Sequence, residues 1–253
     1  VVTFLSDVDD SDQPYALYVP RNYSPDRTWP LVVSLHGAGS NHRLNLRRVF
    51  GKGNLPGESD VLASREIASP LRLLDCCLIS DGAAAVVVSA PTAVPVMSRP
   101  RVALLGAGQG HTHEHVSYAP GLREFGCHRA AHIAFAQAGV APHDIDVAEI
   151  YDSFTITLLV ELESMGFFAP GTAGAAALAG ALDLDGELPC NTHGGLLSYG
   201  HAGPAGGMFH LIEAVLQLRG EASLRQVHGA ELALVHGDGG ILSAHGTLIL
   251  GAI

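Results

Sequence analysis

Asn191-Thr-His-Gly-Gly-Leu-Leu-Ser-Tyr-Gly-His-Ala-Gly-Pro-Ala-Gly-Gly207 is the stretch from which the rest of the chain is read. It sets two histidines and six glycines between a predicted strand and an apolar helix. Glycine has no Cβ, so backbone here can approach a ligand or another element closely. A glycine-rich turn that opens a helix also points free N–H groups outward, toward an anionic or polarised oxygen. His193 and His201 lie inside the turn, where an imidazole can donate to a reacting group or take its proton. The same glycines also suit a tight strand–helix connection with no ligand.

Outward from that stretch, composition narrows the class. The chain has 253 residues, 47% of them hydrophobic and 15% charged, which predicts a compact fold of one or two domains. Its formal net charge is -11, which argues against nucleic acid or an anionic membrane as the main partner. No apolar run approaches the ~20 residues of a membrane span. Cys76, Cys77, Cys127 and Cys190 form no Cys-x-x-Cys pair, so neither a zinc knuckle nor a redox motif is signalled. Reduced thiols and a cytoplasmic setting are expected. The first residue is not Met, so the natural N-terminus is expected to lie outside this numbering.

Alternating strand and helix patterns predict an α/β architecture. Strands are expected at 83–88, 101–105, 147–151, 231–235 and 248–250. Helices are expected at 122–138, 155–165, 173–182 and 208–219, three of them closed by Gly139, Gly166 and Gly220. Residues 61–70 read as an extended approach. Gly106-Ala-Gly-Gln-Gly110 has the first two glycines of a dinucleotide fingerprint, but His111 stands at the third and no apolar helix follows, so that reading is rejected. His111, His113 and His115 alternate and would share one face of a strand. No carboxylate or Cys is placed with them, and no metal site is assigned.

Residues 1–58 differ from the remainder. Tyr15-Ala-Leu-Tyr-Val19 and Leu31-Val-Val-Ser-Leu35 read as strands, followed by His36-Gly-Ala-Gly39. That order resembles the opening of an α/β-hydrolase of the esterase kind, in which the backbone around His36, Gly37 and Gly39 would help hold an oxyanion. No Gly-x-Ser-x-Gly elbow occurs in the chain. A β-hairpin-like arm is therefore expected in place of a working hydrolase.

Residues 60–253 resemble the C-terminal part of thiolases, of the lipid-transfer or sterol-carrier type of acetyl-CoA acetyltransferase. Leu-Leu-Asp-Cys-Cys-Leu-Ile-Ser-Asp-Gly at 73–82, Ala-Glu-Ile-Tyr-Asp-Ser-Phe at 148–154, the 191–207 stretch, and Leu-Val-His-Gly-Asp-Gly-Gly at 234–240 follow the family's order. The resemblance implies a mixed β-sheet with helices packed on it. It implies three segments: a hydrolase-like fragment at 1–59, a remnant of the thiolase N-terminal half at 60–98, and the thiolase-like C-terminal domain at 99–253. The chain reads as two gene pieces joined near Ser59 and Asp60, by natural fusion, environmental-DNA rearrangement or cloning.

The chemistry implied by the resemblance is acyl transfer from a CoA thioester, without a covalently bound cofactor. His201 takes the place of the histidine that holds the thioester oxygen, and Tyr151 the place of an asparagine that positions water there. His236 replaces an acid/base cysteine, and His193 falls where Asn is frequent. Cys77, Gly194, Gly195, Gly239 and Gly240 map near the CoA-contacting backbone. The half that carries the family's nucleophilic cysteine has no counterpart in the chain, so condensation is expected to be impaired. Two alternatives stand beside this reading. One is a hydrolase acting on a small ester or thioester, with Ser198 or water activated among the imidazoles. The other is a non-catalytic oligomerisation or lipid-carrier partner, since the family forms dimers and larger homo-oligomers.

Overall fold

A computed structural model describes residues 2–5, 12–15, 58–77, 79–90, 100–119, 121, 125–240 and 242–253. At its centre is a four-stranded mixed sheet made of β5 (Val102–His111), β6 (Val147–Ile150), β7 (Leu232–Gly239) and β8 (Ala244–Ala252). The strand order is β5-β8-β7-β6. β5 and β7 each run antiparallel to β8, whereas β6 runs parallel to β7. Ahead of the sheet come a short antiparallel pair, β1 (Val2–Leu5) with β2 (Asp12–Tyr15), helix α1 (Glu58–Ala63), and a second pair, β3 (Glu66–Ala68) with β4 (Leu71–Arg72).

Each face of the central sheet carries its own apolar core, because side chains alternate along a strand. On one face, α2 (Gly126–Ala138) and α3 (Thr155–Met165) bury Ala131, Ala134, Phe135, Leu162 and Met165 against Ala148, Ile150, Leu234 and Ile249. On the other, α6 (Gly206–Leu218) buries Ala214 and Leu218 against Val147, Ala233, Val235 and Leu250. Helices α4 (Ala173–Leu178) and α5 (Gly195–Ser198) are single turns in the connection between α3 and α6. Gly139 and Gly166 end α2 and α3 in the left-handed region at φ 73° and 91°, as their positions after each apolar run predict. Among the described residues, no helix is long and apolar enough to cross a membrane.

Four expectations are corrected. The strand expected at 101–105 runs on to His111, because Gly106, Gly108 and Gly110 face α2. A Cβ at each would stand 2.1, 2.0 and 1.9 Å from the carbonyl oxygens of Ala134, Ala130 and Gly126. The glycines therefore serve close helix-on-strand packing and no turn. Residues 83–88 form no strand: Val87 is 95% and Val88 82% exposed, and among the described residues no strand pairs with them. Residues 58–63 are helical, and only 66–68 of the expected extended approach is strand. His111 ends β5, His113 is buried beyond it, and exposed His115 accepts from Ser117 N, so the three share no strand face. The expected strand at 31–35 and the His36, Gly37 and Gly39 turn lie outside the described residues, as does the expected strand at 15–19 apart from Tyr15.

Candidate active site

β6 delivers Tyr151 at the end of the sheet, where the Tyr151 N–H donates to His236 O at 3.0 Å. The phenol oxygen lies 2.5 Å from His201 Nε2, with the two rings edge to face at 5.6 Å. Burial above all, then the nearby carboxyl groups and Cys77, push the Tyr151 phenol up to about 12, so it stays protonated and donates. Burial also lowers His201, which leaves its imidazole neutral, with Nε2 accepting. Both side chains are half-buried.

The segment at 76–80 pins this pair from outside the sheet. Cys77 N donates to Ser153 O at 2.8 Å, next to Tyr151 and Asp152. Ser80 N donates to His201 O at 3.0 Å, and His201 N donates to Ser80 Oγ at 2.8 Å. Cys77 thus stands at the wall of the site.

Glycines behind the pair admit a carboxylate. Asp152 is buried and accepts from Leu196 N at 2.6 Å and Leu197 N at 3.4 Å at the start of α5. Gly195 has φ 62°, and a Cβ there would lie 2.1 Å from Asp152 Oδ2. Gly194, at φ 104°, makes the turn before it. Asn191, at φ 50°, clamps this loop onto β6: its Oδ1 accepts from Ile150 N at 2.7 Å and its Nδ2 donates to Ile150 O at 2.8 Å.

On the α6 face, Glu149 is the hub. Its Oε1 accepts from Thr192 N at 3.0 Å and Thr192 Oγ1 at 2.8 Å. Its Oε2 stands 2.9 Å from His193 Nδ1 and 3.6 Å from His210 Nδ1, both off the line of a hydrogen bond. Burial alone would raise Glu149, but the two imidazoles outweigh it and hold the carboxyl down at about 2. Burial would lower His193, and Glu149 beside it raises it instead. Thr192 Oγ1 passes the network on to Glu213, which Arg225 grips with two bonds of 3.0 and 2.8 Å.

His236 is on the opposite face, fully buried beneath α3. His193 and His236 thus lie on opposite faces of the sheet, while His201 bonds Tyr151 at its end. Ser198 is half-buried, and among the described residues no hydrogen bond joins its Oγ to an imidazole. Gly239 ends β7 against Ala244, and Gly240 turns the chain at φ 64°.

Residues 108–252 match the family model described as thiolase C-terminal domain-like. The chain belongs to this family. The thiolase-like chain is 38% identical over 194 residues to an acetyl-CoA acetyltransferase of Methanothermobacter thermautotrophicus, covering 73% of this chain and 49% of that one. It is 39% identical over 224 residues to the 17-hydroxy-3-oxo-4-pregnene-20-carboxyl-CoA lyase of Mycobacterium tuberculosis, covering 85% of this chain and 55% of the relative. Among solved structures, a chain of the Ltp2-ChsH2(DUF35) aldolase superposes with a TM-score of 0.68 at 30% identity, over 83% of this chain and 56% of that chain. The thiolase-like chain thus spans about half the length of the curated relatives it matches.

The mixed sheet with helices on both faces is the expected thiolase-like fold. Sequence reasoning singled out Tyr151, His201, His193 and His236, and did not single out Glu149, Asp152, Glu161, His210 and His245, which the fold places beside them. A signal existed for the acids. Glu149 interrupts the apolar strand Val147–Ile150, and Glu161 interrupts the apolar helix Thr155–Met165, where a charge is costly unless it has a task.

Proposed function

We propose that this chain binds an acyl-CoA thioester and supplies the acid–base side of a reaction that breaks or forms a carbon–carbon bond next to the thioester. The observation that carries it is the 2.5 Å contact between a protonated Tyr151 phenol and a neutral His201 imidazole in half-buried surroundings. Such a pair moves protons without a covalent nucleophile. Burial pushes the Cys127 thiol up to about 12 and Cys190 well above its ordinary value, so neither serves as a thiolate. The carbon–carbon reading also fits relatives named as a lyase and an aldolase beside one named as an acetyltransferase.

In the cleavage direction the substrate class is a β-hydroxyacyl-CoA. His201 takes the hydroxyl proton, and a carbonyl forms as the Cα–Cβ bond breaks. The electron pair moves into the thioester as an enolate, and Cα then takes a proton from Tyr151. The products are a carbonyl compound and a shortened acyl-CoA. Turnover of a panel of β-hydroxyacyl-CoA thioesters tests this. Tyr151→Phe and His201→Gln should each lower kcat by at least about 100-fold, the usual weight of general acid–base catalysis. Acyl-CoA should still raise the Tm of both variants. Absence of any Tm shift with millimolar acyl-CoA on the unaltered chain would remove the proposal. So would turnover untouched by Tyr151→Phe.

A further inference from the structure

On the α3 face, β7 and β8 place His236 opposite Thr247 and Asp238 opposite His245. α3 lowers Glu161 onto the two imidazoles. The side chains of Glu161, His236 and His245 are all 0% exposed. His236 Nε2 and His245 Nδ1 share a 3.1 Å hydrogen bond and face Glu161 Oε1 at 3.8 and 3.9 Å, so a metal ion bound here would displace the shared proton. Three atoms so spaced share a central point about 2.1 Å from each, the length of a zinc–nitrogen or zinc–oxygen bond. The far nitrogen of His236 is held in the way metal-binding histidines are. His236 Nδ1 bonds Thr247 Oγ1 at 2.8 Å, and His245 Nε2 faces Asp238 Oδ1 at 3.9 Å.

What the cluster lacks is a counter-charge. Both oxygens of Glu161 are buried without a hydrogen-bond partner. An unpartnered buried carboxyl is costly, and a divalent ion would offset that cost. Glu149, His193 and His210 also converge, but there only one carboxylate oxygen, Glu149 Oε2, is without a hydrogen bond, since Oε1 accepts two from Thr192.

We infer that Glu161, His236 and His245 form a binding site for a divalent transition-metal ion of the zinc class, one strand pair away from Tyr151. Two imidazoles and one carboxylate are a donor set suited to zinc, with a further position left for water. The site does not depend on the carbon–carbon reading, and it is tested without any activity.

Tag-free full-length protein is stripped with EDTA and titrated with cobalt(II), read by visible d–d absorption and elemental analysis. One equivalent should bind, zinc should displace it, and zinc should raise the Tm of the stripped protein. Glu161→Gln and His245→Asn should each weaken cobalt binding at least tenfold, whereas Glu149→Gln should leave it unchanged. Thr247→Val keeps the β-branched shape and should still fold, yet it should weaken binding by about 10-fold or more through the freed His236 ring. No uptake of cobalt or zinc by the unaltered chain would overturn the inference and leave Glu161 a neutral buried acid. Uptake that survives both Glu161→Gln and Thr247→Val would place the ion elsewhere, on Glu149, His193 and His210 or on surface histidines, and overturn it equally.

Discussion

Glu149 and Asp152 sit three residues apart, are both buried, and titrate in opposite directions. Glu149, held at about 2 against an ordinary 4.5, stabilises the fold above pH 4.5 and loses that contribution as pH falls toward 2. Its partner His193, raised above 6.5, stabilises the fold below that value and loses the contribution as pH rises through its folded pKa. For Asp152, burial first, only partly offset by the Leu196 and Leu197 amides, lifts the carboxyl from 3.8 to about 7. Its ionisation therefore costs stability progressively between pH 3.8 and about 7. Urea unfolding measured from pH 3 to 8 should show Glu149→Gln flattening the acid limb and Asp152→Asn flattening the limb between 4 and 7. Across its full window the change should be worth about 3 kcal/mol for Glu149 and about 4 kcal/mol for Asp152, at roughly 1.4 kcal/mol per pKa unit. Limbs of unchanged slope in both variants would show that neither carboxyl is tuned as described.

At the scale of elements, the packing of α2 on β5 determines where the sheet's edge strand can lie. Residues 106, 108 and 110 meet 134, 130 and 126, so two residues of strand match one turn of a helix running the opposite way. Gly108→Ala would drive a Cβ to within 2.0 Å of the Ala130 carbonyl oxygen, and backbone on both sides would have to move. A loss of about 3 kcal/mol is expected, at the upper end of overpacking costs. Gly246, on β8, has nothing within 4 Å of its added Cβ, and Gly246→Ala should stay within about 0.5 kcal/mol. Equal losses in the two variants would mean that strand flexibility, and no close approach, explains these glycines. Element ends were readable for a local reason: Gly139, Gly166 and Gly220 stop apolar runs, and each takes a positive φ. The continuation of β5 was not readable, because three glycines in five residues look like a turn until a helix is known to lie on them.

At the scale of the whole molecule, apolar surface is left uncovered. Val87 and Val88 are nearly fully exposed, and Ile79, beside the His201 segment, is 62% exposed. A contiguous apolar run of this kind favours association. Light scattering should give a mass above the 26.3 kDa of one chain that rises with concentration, and Val87→Asp with Val88→Asp should lower it while leaving Tm nearly unchanged. A constant 26.3 kDa would count against self-association. From residue 100 onward the order of the longer strands and helices, and the helix stops, were legible in the sequence alone, since propensity, periodicity and motif order act over a few residues. Only the tertiary structure decided that His193 and His236 lie on opposite faces of the sheet. It also decided that Glu149 joins His193 and His210 while Glu161 joins His236 and His245. Those partnerships depend on strand order β5-β8-β7-β6 and on the parity of each residue in its strand, and pairing between distant segments leaves no local trace in the chain.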